Sequence, residues 1–517
     1  MGSESPKITP AVQPAASIRG LEVEKPVGKH NDVGLLMYEE SLAMDPELRD
    51  RLAKRVLRKL DYGLLPVMCI IYLTSFLDKQ TLNYASAYSL KTDLGLVGTE
   101  YSWIAAIINF GILAGSYPAS LALQRFPIGK IAGAMLISWG ILNMCSAATK
   151  NFGGLMAIRF LLGLCEASMG PAWMLLTSVF WTRREQPLRM CFWLGCNGLA
   201  SMLGAGISWG LGHNDSTAVK SWQLIFLTIG AFTFVFGVLA VSFLPSGPHD
   251  AFFLSHEEKL VAVWRVSENK TGIKNPKIML YQVKEALMEP RVWLLAIQQL
   301  CIGITNGGIS NFTSSLLLGF GFSSSKSLLY QLPNGAFQLV CTIAAGVVTS
   351  SIPNSIVITI AICQIPTLAG VVGIRLIPLE HQVPLAACCW LFGCMGGAII
   401  LNWAIVASNF AGHTKRMTVN GLNFVFYYGG NIIGPFLFIS KESPKYPTAV
   451  SAMASLFSIS IASSLLMGLL MALENRKRDK AARAAQQDAD AMNEPDSGYD
   501  GFTDHTDKEM AEFRYKW

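Results

Sequence analysis

The chain carries about a dozen long apolar segments, and each is near the roughly 20 residues that a helix needs to cross a bilayer. Six of them fall at about 63–88, 102–122, 130–149, 153–180, 190–211 and 222–244. A polar stretch from Leu244 to Arg291 follows, and then six more at about 292–318, 328–350, 355–377, 383–408, 417–439 and 447–472. In lipid a backbone must satisfy its own polar groups, so segments of this length and spacing can only be helices. The expected fold is an all-α polytopic membrane protein of twelve transmembrane helices in two six-helix halves. Only 15% of the 517 residues are charged, against about 25% in soluble domains.

The expected organisation is a cytoplasmic tail over 1–60, six-helix bundles over 61–244 and 291–473, a central loop over 245–290 and a second tail over 474–517. Residues 1–45 read as disordered, and 46–60 (PELRDRLAKRVLRKL) as a basic amphipathic helix on the membrane surface. Loops rich in Lys and Arg alternate with poorer ones. Arg125/Lys130, Arg183/Arg184/Arg189 and Lys415/Arg416 fall on the same side as both tails. By the positive-inside rule that side is the cytoplasm, which requires an even number of spans. No h-region of a cleavable signal precedes the first span. Asn214-Asp215-Ser216 falls in an outer loop and is a weak glycosylation candidate.

The eleven cysteines lie in apolar stretches without CxxC or Cys/His spacing, so neither a disulfide framework nor a zinc site is supported. No metal-ligand set, nucleophile motif or phosphate loop appears, and no cofactor is expected. The net charge of +6 sits beside the spans as topology signals, which removes nucleic acid as an expected partner. The expected partners are lipid, protons and a small organic anion.

The anion expectation rests on four charged residues inside apolar spans: Asp78, Lys79, Arg159 and Glu166. Charge in hydrocarbon costs several kcal/mol by the gentlest scales (about 2.5–3.5), so such groups mark cavities and ion paths. Span directions and a rise of about 1.5 Å per residue put Lys79 and Arg159 at similar depth, with Glu166 about 10 Å farther along its helix than Arg159. Arg159 and Glu166 share a helix face, but Arg159 leans away from Glu166. Each should therefore find its partner on another helix or in water. Lys79 and Arg159 read as an anion-binding pair, since Arg can grip a carboxylate with two parallel bonds. Asp78 and Glu166 read as proton-coupling sites. The alternative is a set of buried salt bridges that only lock helices together. In the second half Asn306 and Asn402 read as substrate contacts, weaker candidates than the charged residues, and Asn311, Asn409, Asn423, Tyr427 and Asn431 stand on the same footing. Interhelical hydrogen bonding is the plainer role for each. None of the seven histidines falls in an expected span.

At these residues the chain resembles a known family. Phe76-Leu-Asp-Lys-Gln-Thr-Leu-Asn83 and Arg159-Phe-Leu-Leu-Gly-Leu-Cys-Glu-Ala-Ser-Met-Gly-Pro171 resemble the first- and fourth-helix motifs of the anion:cation symporters of the major facilitator superfamily. Trp181–Arg189 and Asn409–Arg416 resemble two of that family's loops. Thr506–Tyr515 is similar to the tail of the fungal allantoate permease branch. The resemblance implies proton-coupled import of organic anions such as allantoate, ureidosuccinate, nicotinate, pantothenate or biotin. It implies a plasma-membrane monomer, binding by Lys79 and Arg159, and coupling by Asp78 and Glu166. Two departures stand out. Lys79 replaces the usual Arg, removing the planar fork. The loop motif after span two is reduced to Pro118-Ala-Ser-Leu-Ala-Leu-Gln-Arg125, and its counterpart Thr349–Pro353 carries no charge. An exporter of a fungal metabolite and a non-transporting nutrient sensor are the competing expectations; an enzyme is not expected.

Overall fold

The computed structural model describes residues 37–38, 40–182, 185–213, 219–267, 279–490, 506–510 and 513–517. Asn214 and the Arg183/Arg184 pair lie outside them. Among the described residues all regular structure is helical. Helix α1 (Pro46–Lys59) passes through a wide π turn at Leu60–Leu64 into α2 (Leu65–Ala85). The expected surface helix and first span are thus one continuous rod. The first half continues with α3 (Glu100–Arg125), α4 (Ile128–Ser146), α5 (Phe152–Glu166), α6 (Met169–Phe180), α7 (Gln186–Leu211) and α8 (Ser221–Phe243). Helices α9 (His256–Ser267) and α10 (Leu280–Met288) occupy the central loop. The second half holds α11 (Pro290–Gly319), α12 (Leu332–Ser351), α13 (Ile356–Leu376), α14 (Gln382–Trp390), α15 (Met395–Asn409), α16 (His413–Ile433) and α17 (Pro447–Asp490).

Among the described residues eleven helices, some joined end to end, are long and apolar enough to cross a membrane. The expected span at 417–439 corresponds to α16, which is not among the eleven. Asn420, Asn423, Tyr427, Tyr428 and Asn431 make it too polar. Four of these five line a cavity, so α16 keeps its polar face away from lipid. Span four is broken into α5 and α6 directly after Glu166. Pro171 has no N–H to give to the carbonyl of residue 167, which weakens the ladder at that point.

The halves meet along two seams, α7 against α12 and α3 against α16. The α7–α12 seam needs glycine. A Cβ on Gly335 would lie 2.5 Å from the Gly198 carbonyl oxygen, so any larger residue would push the halves apart. Away from the termini, hydrogen bonds tie half to half. Asn83 Nδ2 donates to Gln331 Oε1 at 2.9 Å and Ser314 N donates to Asn83 Oδ1 at 3.1 Å. Tyr101 Oη donates to the Asn311 carbonyl at 2.8 Å, and Lys91 Nζ to Ser315 Oγ at 3.0 Å. This end is also sealed by a shared apolar cluster that includes Leu82, Trp222, Phe312 and Phe438.

At the other end, which carries α1 and the α17 tail, ion pairs hold each half separately. Arg189 grips Asp61 (2.6 Å), Lys59 grips Glu258 (2.6 Å) and Arg265 grips Glu185 (2.7 Å), docking α9 under the first half. Under the second half the tail folds back. Asp507 and Lys415 are both fully buried and 2.6 Å apart. Lys415 Nζ also lies 2.8 Å from Glu285 and 2.8 Å from Glu289. The three carboxylates cluster as metal ligands would, but a lysine ammonium already sits among them and supplies the cation. Tyr515 Oη donates to Asp507 at 2.7 Å, and its ring lies under Arg291.

Candidate functional site

A cavity of about 410 Å³ lies between the halves. Its lining runs from Lys79, Arg159 and Asn311 down to Ser116 and Ser120 on α3, Gly170 on α6, and Met417 and Asn420 on α16. Those lower residues sit toward the end that bears the termini, where the halves diverge, so the cavity reaches that end and stops below the hydrogen-bonded one. A smaller polar chamber at the closed end shares Phe76, Gln80, Asn306, Ser310 and Gln338 with it.

Among the described residues three charged side chains line this cavity, all from the first half: Lys79, Arg159 and Glu166. Lys79 Nζ lies 2.9 Å from Glu166 Oε1, joining α2 to the last residue of α5. Lys79 is thus paired with Glu166 on the neighbouring helix, and it lines the same cavity as Arg159. The other oxygen of Glu166, Oε2, is buried without a partner. Arg159 is 1% exposed, and its Nε and Nη1 are buried with no hydrogen-bond partner. A guanidinium at the cavity wall with two nitrogens buried and unbonded carries a desolvation cost. Such a group is poised for an acceptor that comes from outside, and a carboxylate has the matching shape.

Asp78 is placed elsewhere. It is 1% exposed and faces the core between α2, α4 and α8, away from the cavity lining. Its Oδ1 accepts from Asn143 Nδ2 at 2.6 Å. Residues 78 and 79 are about 100° apart on a helix, enough for one to face the bundle and the other the cavity. Of the second-half candidates, Asn306 lines both chambers and accepts from Tyr427 Oη at 3.2 Å. Asn402 is fully buried outside the lining and donates to the Ala398 carbonyl at 3.0 Å. Asn423 is likewise buried outside it, and Asn409 holds the backbone of Lys516 in the tail. Asn311, Tyr427 and Asn431 do line the cavity.

Several lining residues were not singled out in the sequence: Tyr72, Gln80, Asn109, Asn197 and Gln338, and the aromatics Trp403, Phe424 and Tyr428. The amides carried a usable signal, as polar groups inside apolar spans. The aromatics carried none, because an aromatic facing lipid and one facing a cavity read alike.

Two bundles around a central cavity, charged on its wall and closed at one end, have the build of a membrane transporter. Residues 68–435 match the model of the Major Facilitator Superfamily, and the chain belongs to that family. It is 32% identical over 507 residues to the allantoate permease of Saccharomyces cerevisiae, covering 94% of this chain and 90% of that one. It is 33% identical over 466 residues to the thiamine pathway transporter THI73 of the same yeast, with 90% and 86% covered. An uncharacterized transporter of Schizosaccharomyces pombe, C417.10, is 34% identical over 483 residues, with 92% and 91% covered. Among solved structures the proton:xylose symporter XylE superposes with a TM-score of 0.60 at 13% identity, over 78% of this chain and 94% of that one. That likeness concerns the fold. The protein is thus a membrane transporter of the Major Facilitator Superfamily, grouped with fungal carriers.

Proposed function

We propose that this transporter imports a small organic anion together with a proton. The observation that carries the reading is Arg159, a buried cavity-wall guanidinium with unpartnered donors beside the Lys79–Glu166 ion pair. The relationship to allantoate permease supports a carboxylate as the substrate class.

The geometry suggests how proton and anion are coupled. In the state described, Glu166 occupies Lys79 and only Arg159 is free to take an anion. Protonating Glu166 removes its charge and releases the Lys79 ammonium. Two cations then face the cavity, and the substrate carboxylate binds both. When Glu166 loses its proton it recaptures Lys79, and the carboxylate is left with Arg159 alone. Substrate anion and Glu166 anion thus compete for one lysine, so tight anion binding requires a bound proton. Lysine suits this role because its single ammonium on a flexible stem can swap partners. For a monoanion the cycle moves no net charge. The Lys/Arg bias puts the open end in the cytoplasm, so the state described is the one that releases substrate. The plasma membrane is the site where such uptake has use.

The test is uptake of labelled allantoate, nicotinate and pantothenate by the purified carrier in liposomes under an inward proton gradient. Wild type should accumulate at least one of them, and accumulation should vanish when the gradient is collapsed. Glu166→Gln should lose accumulation but keep exchange of internal for external substrate. Accumulation against a gradient by Glu166→Gln would refute the coupling role. Failure of every organic anion to enter would refute symport of this class.

A further inference from the structure

Helix α17 is far longer than a crossing needs. Its 44 residues measure about 66 Å at about 1.5 Å per residue, against about 30 Å of hydrocarbon. Residues 447–473 alone reach about 40 Å, so the remainder stands beyond the membrane at the end that carries the termini. Within the crossing, Leu466, Leu469 and Leu473 are each about half exposed. Their spacing of three and four puts them on one side of the helix, the side that meets lipid. Just past Leu473 come Arg476, Lys477, Lys480 and Arg483, all exposed. At about 100° per residue these cations project in the same sector as the three leucines. None of the four makes a hydrogen bond or ion pair with another described residue. The two acids among residues 474–483 are already neutralised, Glu474 by Arg478 at 3.6 Å and Asp479 by Arg514 at 2.7 Å.

A different face of this extension is taken up by the returning tail. Asn475 Nδ2 donates to the Tyr515 carbonyl at 2.8 Å, and Tyr515 N donates to Asn475 Oδ1 at 2.9 Å. Arg478 Nη1 donates to the Phe513 carbonyl at 2.9 Å. The tail thus splints α17 beyond the membrane and leaves its cationic side facing out.

Exposed cations are ordinarily only solvated; direction sets these apart. Helical side chains tilt toward the helix N-terminus. Helix α17 leaves the membrane C-terminus first, so its long Arg and Lys chains lean back to the bilayer and lay their stems beside the leucines. On α1, Arg51, Lys54 and Arg58 are also exposed, but that helix enters the membrane C-terminus first and its side chains lean away. Arg476 lies about 4.5 Å and Lys480 about 10.5 Å along the axis from Leu473. Leaning back, both reach a headgroup layer about 5–7 Å thick. We infer that this side of α17 binds an anionic phospholipid of the leaflet at the termini end, its acyl chain along Leu466, Leu469 and Leu473 and its headgroup on Arg476, Lys477, Lys480 and Arg483. The apolar and the charged parts of one lipid meet the apolar and the charged parts of one continuous helix face.

The test is photolabelling of the full-length carrier in liposomes with a phospholipid bearing a diazirine in its acyl chain, mapped by mass spectrometry to residues 466–473. Unlabelled phosphatidylserine and phosphatidylcholine of identical chains compete for the label. Each Lys or Arg at an anionic surface is worth about fivefold, and two within reach of one headgroup give about 25-fold, so phosphatidylserine should compete better by that factor. Glycerophosphoserine, the headgroup without chains, should not compete. Arg476→Gln, Lys477→Gln, Lys480→Gln and Arg483→Gln combined should bring the ratio near one, with thermal unfolding unchanged. Arg476→Lys with Arg483→Lys should keep the preference, and so should Arg51→Gln, Lys54→Gln and Arg58→Gln combined. The wild-type ratio is read independently of any variant. Equal competition by the two lipids in wild type, or a preference that survives loss of the four cations, overturns the inference. So does an equal loss in the α1 variant, which marks unspecific surface charge, or competition by glycerophosphoserine alone, which marks a site for a free anion.

Discussion

Replacing Arg159 by methionine should make the protein more stable and abolish anion binding. A buried arginine that serves the fold is paired, and removing one partner of a buried pair costs about 3–5 kcal/mol. Arg159 has no such partner: Nε and Nη1 are buried and unbonded, and the residue is 1% exposed. Its desolvation is therefore a standing cost to the empty carrier. Methionine fills much of the same volume and carries no polar atom. Relief of the buried charge is worth about 1–4 kcal/mol by analogy with buried ionic groups replaced by apolar ones. Binding moves the other way. A carboxylate gripped by two charge-assisted hydrogen bonds of about 1.5–3 kcal/mol each loses about 3–6 kcal/mol, or two to four orders of magnitude in affinity. Arg159→Lys keeps the charge without the fork and should fall between. The assays are thermal unfolding of the purified protein in detergent, without substrate, and uptake of labelled organic anions into liposomes. A fall of several degrees in Tm for Arg159→Met with uptake retained would refute the reasoning and make Arg159 a structural residue.

Asp78→Asn should leave proton-driven accumulation within about twofold, because Asn can accept the same bond from Asn143 and the residue does not line the cavity; collapse of accumulation in a folded variant would put the proton site at Asp78. Lys415→Met should lower stability by about 3–5 kcal/mol, since it removes the one ammonium shared by Glu285, Glu289 and Asp507 and leaves Arg291 and Lys508 to face only part of that cluster. The double variant with Asp507→Asn should recover part of that loss, and unchanged melting of the single variant would show that the socket contributes nothing. At the closed end, burial lowers the Lys91 pKa to about 8, so closing this end costs free energy while Lys91 is charged. That cost is full below about pH 8 and fades as pH rises toward the ordinary lysine value of about 10.5. Labelling of Ser86→Cys, buried at this end, divided by the rate of an exposed control cysteine to remove the rise in thiolate fraction, should slow as pH at the closed end rises from 7 to 9. Lys91→Met should remove the pH dependence; an unchanged dependence would exclude Lys91 as its source.

Much of the architecture was legible because lipid enforces it. Apolar length and six-plus-six spacing fix a helical protein in two halves, and charge inside a span is costly enough to mark Lys79, Arg159 and Glu166 as cavity residues. Periodicity could not say which way neighbouring residues face. Asp78 and Lys79 are adjacent in the chain, yet one binds Asn143 in the bundle and the other reaches Glu166 in the cavity. Asn306 and Asn402 are equally polar and equally buried in sequence, but helix rotation gives the cavity only the first. The polar α16 also hid part of the site. Its asparagines weakened it as a span for the same reason that they line the cavity.

By itself the sequence determined the kind of elements, the division into halves and the presence of charge in the membrane, because each follows from the free energy of single residues in lipid. Tertiary structure decided the pairings. It put Lys79 on Glu166 and left Arg159 unpartnered. It brought Trp403, Phe424 and Tyr428 to the lining of the same cavity and closed the end away from the termini, while Asp507 was locked under the second half. Those outcomes depend on how helices rotate and cross, which is set by contacts between residues far apart in the chain.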